Sequence, residues 1–191
     1  MANGDRPERS ADKRLRIAAR VSAAFRARGY RVIQYGGATV EQYTRGGYAT
    51  GDVDLGFDGA APSMGEKNEV MQTLGAKPAL RLFQVEDVVV DLGGSAELLS
   101  RNFVEVETEE GSVVMEAPEE AIVQRVLVAV YPQPNLEQRQ AAKLLLAQAE
   151  AGNLAVDWNE VRRIADLPVY RVWGEIESLR SECRRELGMT G

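Results

Sequence analysis

The spacing of apolar residues divides the chain into two kinds of pattern. Up to about residue 117, short segments with apolar residues at alternate positions are mixed with segments in which apolar residues recur every three or four positions. The first period is typical of strands and the second of amphipathic helices. After residue 117 only the helical period continues. The patterns predict strands at 30–35, 52–57, 79–85, 88–92, 103–108 and 112–117, and helices at 11–28, 38–44, 65–75, 118–131, 136–151, 157–166 and 169–187.

Prolines mark the change from the first pattern to the second. Pro118 fits the first position of a helix, where the missing backbone N–H costs little. The proline-rich stretch 132–135 then breaks that helix. We therefore expect an α+β chain with a mixed α/β domain in residues 1–117 and a C-terminal helical subdomain in residues 118–191.

Composition is that of a folded protein without a membrane span. Of the 191 residues, 45% are apolar and 27% are charged. No apolar run approaches the roughly 18 residues that cross a bilayer, and the polar N-terminus does not have the form of a secretory signal. Cys183 is the only cysteine, so the chain cannot form an internal disulfide. These features favour a cytoplasmic location.

The absence of histidine restricts the possible chemistry. It excludes a Ser-His-Asp triad, Cys-His catalysis and a histidine-ligated zinc site. Carboxylates, lysine, arginine, tyrosine or a metal held by oxygen ligands remain. Oxygen ligands favour Mg²⁺, Mn²⁺ or Ca²⁺.

Charge is distributed unevenly along the chain. The net charge is −6, yet residues 1–31 contain nine basic and three acidic side chains. A basic first helix on an acidic body would attract nucleic acid or nucleotide phosphates. The alternative is a solvated face whose cations pair with the acidic body. The sequence leaves both open.

Two aspartates in the predicted strand 52–57 are the first candidates for chemistry. Asp52 and Asp54 stand two positions apart, so both side chains project from the same face of a strand. Two carboxylates held this close repel each other, and a divalent cation offsets that repulsion. Mg²⁺ is commonly held by one or two carboxylates together with substrate phosphates. The alternative is a solvated polar face.

Other polar and glycine residues surround this pair. Gly36-Gly37 turns the chain between a strand and a short helix, where close backbone approach and helix N–H groups suit an anion. Thr50 adds a hydroxyl. Asp91 ends the very apolar strand 88–92, as a ligand or as a strand-end cap. If its strand pairs with that of the aspartate pair, three carboxylates meet at one sheet edge.

The segment "GGATVEQYTRGGYATGDVDLGF" resembles the signature of the nucleotidyltransferase superfamily, which has the polymerase β-like fold. That signature is a glycine turn, a short helix, Asp-x-Asp on a strand, and a third acid on a later strand. It is most similar to small bacterial nucleotidyltransferase-like proteins that include toxins of toxin–antitoxin and abortive-infection systems. The strong part of the resemblance covers residues 32–57. The matching positions are Gly36, Gly37, Ala38, Thr50, Asp52, Val53, Asp54 and Leu55.

This resemblance implies a small mixed sheet flanked by helices, Mg²⁺ or Mn²⁺ as cofactor, and an NTP substrate. The implied catalytic and metal-binding residues are Asp52, Asp54 and Asp91. The candidate nucleotide-binding residues are Gly36, Gly37, Thr50, Arg45 and Arg125.

The helix that starts at Pro118 also resembles the Pro-Glu-led helix of that group. Arg125 stands where the group usually has a lysine, and no aspartate follows near Arg139. An arginine holds a phosphate bidentately but does not transfer a proton as a lysine does.

Three functional hypotheses follow. The first is a metal-dependent nucleotidyltransferase that acts on a tRNA, protein or small-molecule hydroxyl. The second is a catalytically degenerate module of the same fold that binds a nucleotide or an antitoxin-like partner. The third is nucleic-acid binding through the first helix alone. Three tyrosines near the motif either stack on a base or pack against the core: Tyr35, Tyr43 and Tyr48.

Overall fold

The computed structural model describes residues 10–79 and 82–189. In these ranges the chain forms seven strands and seven helices. The strands are β1 (Val32–Tyr35), β2 (Asp52–Phe57), β3 (Lys77–Ala79), β4 (Leu82–Val85), β5 (Val88–Ser95), β6 (Phe103–Thr108) and β7 (Gly111–Glu116). The helices are α1 (Ser10–Arg26), α2 (Gly37–Tyr43), α3 (Met64–Thr73), α4 (Pro118–Val130), α5 (Leu136–Glu150), α6 (Trp158–Ala165) and α7 (Trp173–Glu186).

All seven strands belong to one mixed sheet in the order β3-β4-β5-β2-β1-β7-β6. β2 runs parallel to β5 and antiparallel to β1. β1 runs parallel to β7, while β3-β4, β4-β5 and β6-β7 pair as antiparallel neighbours. This confirms the predicted α+β class with a mixed sheet.

One face of the sheet carries the main core. Along β2, Val53 and Leu55 are fully buried while Asp52 and Asp54 are only half-buried. The buried residues of the strands pack with Phe25 of α1 and Met71 of α3 in one hydrophobic cluster. The alternation therefore leaves the other face of β2 and β5 available for polar side chains.

The helices after residue 117 form a second hydrophobic cluster, to which Val40 of α2 contributes. Its members lie on α4, α5, α6 and α7, and Leu145 and Ile164 are fully buried there. Pro118 occupies the first turn of α4, as its position in the sequence predicted. The domain boundary at residue 117 stays a prediction.

Three details of the predicted elements were wrong. β3 was not predicted, because its three residues are too few to show a period. The strand of Asp91 continues to Ser95, so Asp91 lies inside β5 and does not end it. The last helix starts at Trp173 and not at residue 169, since Arg171 has a φ of 51° that interrupts a right-handed helix.

Some predicted features lie outside the described residues. These are positions 80 and 81 of the predicted strand 79–85 and the basic residues Arg6 and Arg9. Among the helices that the structure describes, none has the length and apolar character needed to cross a membrane.

Candidate active site

Pairing between β2 and β5 brings the three predicted aspartates to the same region of the sheet. Asp54 pairs with Asp91 in the parallel register, and Asp52 pairs with Val89. Directly paired residues of neighbouring strands project from the same face. The three half-buried carboxylates therefore share the face opposite the main core. Nothing in the local sequence specifies this register, since β2 and β5 are separated by α3, β3 and β4.

The environment of Asp54 disfavours the charged form of its carboxyl group. Burial, followed by the charges of Asp52 and Asp91, raises its pKa to about 6. The Gly37 N–H and the Arg125 guanidinium act in the opposite direction but do not balance these effects. The surrounding protein therefore does not compensate a negative charge on Asp54.

The glycine turn lies directly against these carboxylates. Gly36 has a φ of 76°, and a Cβ atom there would overlap the Asp54 carboxylate. A Cβ atom on Gly37 would lie 2.6 Å from the Thr50 hydroxyl oxygen, which is too close. The Thr50 hydroxyl in turn donates to Asp52 Oδ1 at 2.9 Å. Both glycines are therefore required by close approach between the turn and the aspartate strand.

Glu116, at the end of β7, is a site residue that the sequence did not reveal. Its Oε1 accepts a hydrogen bond from the Gly36 N–H at 2.7 Å, and its carbonyl oxygen accepts one from the Tyr43 hydroxyl at 2.6 Å. Burial raises the pKa of the Glu116 carboxyl to about 8, although the Gly36 N–H and Arg125 act to lower it. A glutamate after three apolar strand residues was the available signal.

The N–H groups of the glycine turn face acidic side chains. Gly36 donates to Glu116, and the Gly37 N–H acts to lower the pKa of the Asp54 carboxyl. The turn was predicted as an anion site. In the described chain the Gly36 donor already binds one of the protein's own carboxyl groups.

A cavity of about 350 Å³ opens beside the turn. Arg125 of α4 lines it and donates through Nη1 to Gln138 Oε1 at 2.7 Å. Within the described residues, the buried Arg125 Nε has no hydrogen-bond partner. Other lining residues include Tyr35, Gly36, Glu97, Glu116 and Val128.

The three tyrosines have different environments. Tyr35 lines the cavity, and burial and the charges of Asp54, Asp91 and Glu116 raise the pKa of its hydroxyl. Tyr43 is packed inward against the carbonyl of Glu116, and Tyr48 reaches Glu137 at 3.4 Å. Only Tyr35 of the three therefore lines this cavity.

Arg45 is separate from the cavity beside the turn. It is exposed, has a φ of 53°, and lines a second cavity of about 580 Å³ between α1 and the loop after α2. Thr50 lines that second cavity too, and it is the residue shared with the aspartate face. Of the predicted nucleotide-binding residues, Arg45 is thus the one placed away from the turn.

A divalent cation fits this face by donor chemistry. Carboxylate oxygens suit Mg²⁺ and Mn²⁺, and the raised pKa of Asp54 shows uncompensated charge. Within residues 10–79 and 82–189, however, no three acidic or cysteine side chains are grouped as a ready-made metal cluster. The residues that would hold the ion are Asp52, Asp54 and Asp91.

The basic first helix pairs with the acidic body. Glu86, in the turn between β4 and β5, receives hydrogen bonds from Arg16 and Arg20. Arg14 and Glu41 form a buried bidentate pair that joins α1 to α2. Among the described residues, further ion pairs of this region include Lys13–Asp87, Arg26–Glu105, Arg28–Glu69 and Arg31–Asp58. This arrangement matches the alternative of a solvated, paired face.

No protein-family model matches the sequence, and no curated protein matches it significantly. The fold is nevertheless similar to that of solved structures. Two are of the antibiotic-resistance factor ANT(2'')-Ia, one in solution and one in complex with adenylyl-2''-tobramycin. They share 16% and 17% identity with this chain, cover 92% of it and 94% and 99% of their own chains, and have TM-scores of 0.50 and 0.51.

A further similar structure is an antigenic nucleotidyltransferase-like protein from Paracoccidioides brasiliensis. It shares 11% identity, the alignment covers 88% of this chain and 93% of that one, and the TM-score is 0.58. At such identities the similarity establishes the fold alone. The chain has a nucleotidyltransferase-type fold.

Proposed function

We propose that this chain is a metal-dependent nucleotidyltransferase, which transfers a nucleoside monophosphate from an NTP to an acceptor hydroxyl. The observation that carries the proposal is the pairing of Asp54 with Asp91, beside Asp52 and the Gly36-Gly37 turn. This arrangement occurs in a chain whose fold is similar to that of nucleotidyltransferases. Uncompensated carboxylates next to a glycine turn are suited to phosphoryl chemistry.

In the proposed reaction, the acceptor oxygen attacks the α-phosphorus of the NTP. A new P–O bond forms, the bond from the α-phosphorus to the bridging oxygen breaks, and pyrophosphate leaves with the bond electrons. Asp91 accepts the hydroxyl proton, and the glycine turn positions the phosphates. Mg²⁺ or Mn²⁺, when bound by Asp52, Asp54 and Asp91, would offset the charge of the phosphates and carboxylates.

Arg125 is the proposed phosphate contact from the helical part of the chain. It lines the cavity beside the turn, and its Nε lacks a partner among the described residues. A guanidinium binds phosphate oxygens bidentately. Arg45 would contact the polyphosphate only across Thr50, from the neighbouring cavity.

Among tRNA, protein and small-molecule acceptors, we favour a small molecule. The cations of α1 are engaged by Glu86, Asp87 and Glu41, so α1 offers little free charge to a nucleic-acid backbone. One structurally similar protein, ANT(2'')-Ia, was solved with the small-molecule adduct adenylyl-2''-tobramycin. We propose a cytoplasmic location for the reaction.

The test is incubation of the protein with each labelled NTP, Mg²⁺ or Mn²⁺, and one of three acceptor pools: total tRNA, lysate protein or a small-molecule extract. We expect label in the small-molecule pool with release of pyrophosphate. Asp54→Asn serves as the inactive control. Absence of labelled product with every nucleotide and every pool would contradict the proposal.

The second candidate is a degenerate module that binds a nucleotide or an antitoxin-like partner without catalysis. The occupied N–H group of Gly36 favours it, as does Arg125 in place of the usual lysine. Calorimetric titration with each NTP distinguishes the two. Nucleotide binding without pyrophosphate release would support the module.

A further inference from the structure

Glu116 is buried in the wall between the glycine turn and the cavity. Only 3% of the residue is exposed. Its side chain accepts from the Gly36 N–H, and its carbonyl oxygen accepts from the Tyr43 hydroxyl. Glu116 therefore contacts the start of α2 through its side chain and the end of α2 through its backbone carbonyl.

Gly36 is held between two carboxyl groups. Asp54 lies so close on one side that no Cβ fits, and Glu116 binds the N–H on the other. The positive φ of Gly36 gives this N–H a direction that a regular strand-to-helix connection would not. The position of the turn relative to Asp54 thus depends on the hydrogen bond to Glu116.

The surroundings of Glu116 disfavour a negative charge. The ionisable groups that act on it or respond to it are Asp54 of β2, Tyr35 of β1, Tyr43 of α2, and Glu120 and Arg125 of α4. Only Arg125 among them is cationic, and it is hydrogen-bonded to Gln138. Burial is the main reason that the pKa of Glu116 lies near 8.

An uncharged Glu116 has a consequence for ligand binding. A nucleotide bound beside the turn would bring several negative phosphate oxygens close to Gly36. A second carboxylate at that place would repel them, whereas a neutral carboxyl still accepts the Gly36 hydrogen bond. The same side chain can therefore fix the turn without opposing the anion.

We propose that Glu116 is a positioning residue, which holds the Gly36-Gly37 turn against Asp54 and must be uncharged for an NTP to bind beside that turn. This inference rests on the proposed nucleotidyltransferase function. Glu116→Gln keeps an acceptor for the Gly36 N–H and removes the titration. Glu116→Ala removes both the acceptor for the Gly36 N–H and the titratable group.

The test measures NTP affinity with a fluorescent nucleotide, and KM and kcat for transfer, between pH 6.5 and 9. For wild type we expect the NTP Kd and KM to rise as pH passes 8, by about tenfold for each unit above the pKa, with a smaller change in kcat. Glu116→Gln should bind NTP at pH 7 and lose this alkaline increase. Glu116→Ala should bind weakly at every pH.

Glu119→Gln is the matched control. Glu119 is also buried, but it accepts from the Asp157 N–H group and not from the glycine turn. This variant should keep the wild-type pH profile, including the part that arises from titration of the nucleotide itself.

Two results would overturn the proposal. One is Glu116→Ala with wild-type NTP affinity, since the turn would then not depend on Glu116. The other is Glu116→Gln with the same alkaline loss as wild type. In both cases transfer by wild type would leave the nucleotidyltransferase function standing. A wild-type protein that neither binds nor transfers any nucleotide would instead remove both proposals.

Discussion

Buried carboxylates have opposite environments in two regions of this molecule. In the helical region, Glu150 at the end of α5 accepts hydrogen bonds from Arg180 at 2.8 Å and Arg184 at 2.5 Å. Burial acts to raise the pKa of Glu150, but these two guanidinium groups lower it overall. On the sheet face, burial raises the pKa values of Asp54 and Glu116, and no comparable pairing reverses the effect.

The difference shows which carboxylates serve the fold and which are available for chemistry. Glu150, with its side chain 5% exposed, is neutralised by partners from α7 and so ties two helices together. Asp54 instead faces Asp91 and gains nothing for stability from that contact. Uncompensated, partly buried charge is characteristic of functional sites. The predictions below test this contrast, from the largest expected effect to the smallest.

Asp54→Asn should reduce nucleotidyl transfer by about 10²–10³-fold, as for loss of a group that stabilises charge in a transition state. It should not lower the free energy of unfolding, because the substitution removes repulsion with Asp52 and Asp91. Steady-state transfer assays and urea denaturation measure the two effects. An unfolding midpoint that drops along with activity would mean that Asp54 serves the fold.

Glu150→Ala should lower the stability of the fold and leave nucleotidyl transfer unchanged. We expect the free energy of unfolding to fall by about 3 kcal/mol, because Arg180 and Arg184 lose a buried partner. Transfer per folded molecule should stay unchanged. Urea denaturation followed by circular dichroism measures the loss, and Glu177→Gln, which removes only an exposed partner of Arg180, is the control. If Glu150→Ala lost no more unfolding free energy than Glu177→Gln, the proposed difference between the helical region and the sheet face would be contradicted.

Glu116→Gln should stabilise the protein in a pH-dependent manner. Because the folded-state pKa is raised from the usual 4.5 to about 8, wild type is favoured below pH 4.5 and loses this stability as pH rises towards 8. The variant should therefore match wild type near pH 4.5 and be more stable by about 2–3 kcal/mol at pH 7. Unfolding curves at both pH values check it. An equal difference at the two pH values would exclude titration as its cause.

Glu86→Gln should have the smallest effect. Arg16 and Arg20 bind Glu86 at the surface, where solvent screens the charges. We expect a loss of less than about 1 kcal/mol, which 0.5 M NaCl should reduce further. Thermal unfolding at low and high salt measures this. A loss as large as that of Glu150→Ala would show that burial does not separate the two kinds of pair.

The sequence predicted most elements because their periods are local. β2 was placed at residues 52–57 by alternation, and this alternation also assigned Asp52 and Asp54 to one face. The register that pairs Asp54 with Asp91 joins segments that are far apart in the sequence. From the sequence it was therefore only a condition for the three carboxylates to meet. The extension of β5 to Ser95 was missed because its last residues include two glycines.

Glu116 and Arg45 show more clearly which features of the site cannot be predicted from the sequence. The role of Glu116 depends on β7 lying beside β1, which brings its carboxyl to the Gly36 N–H. No spacing within the chain encodes that contact. Arg45 is close to the motif in sequence, yet its left-handed backbone and the loop after α2 place it in another cavity. Proximity along the chain therefore did not show which cavity Arg45 lines, and it did not point to Glu116.

Titration of Mn²⁺ into wild type, Asp54→Asn and Glu182→Gln, followed by electron paramagnetic resonance of the free ion, tests the central claim most directly. Glu182 is paired with Arg139 and Lys143 in the helical region and serves as the control. The uncompensated carboxylates of the sheet face should bind Mn²⁺ in wild type and in Glu182→Gln, and lose most of that affinity in Asp54→Asn. Binding by Asp54→Asn that equals wild type would contradict the account.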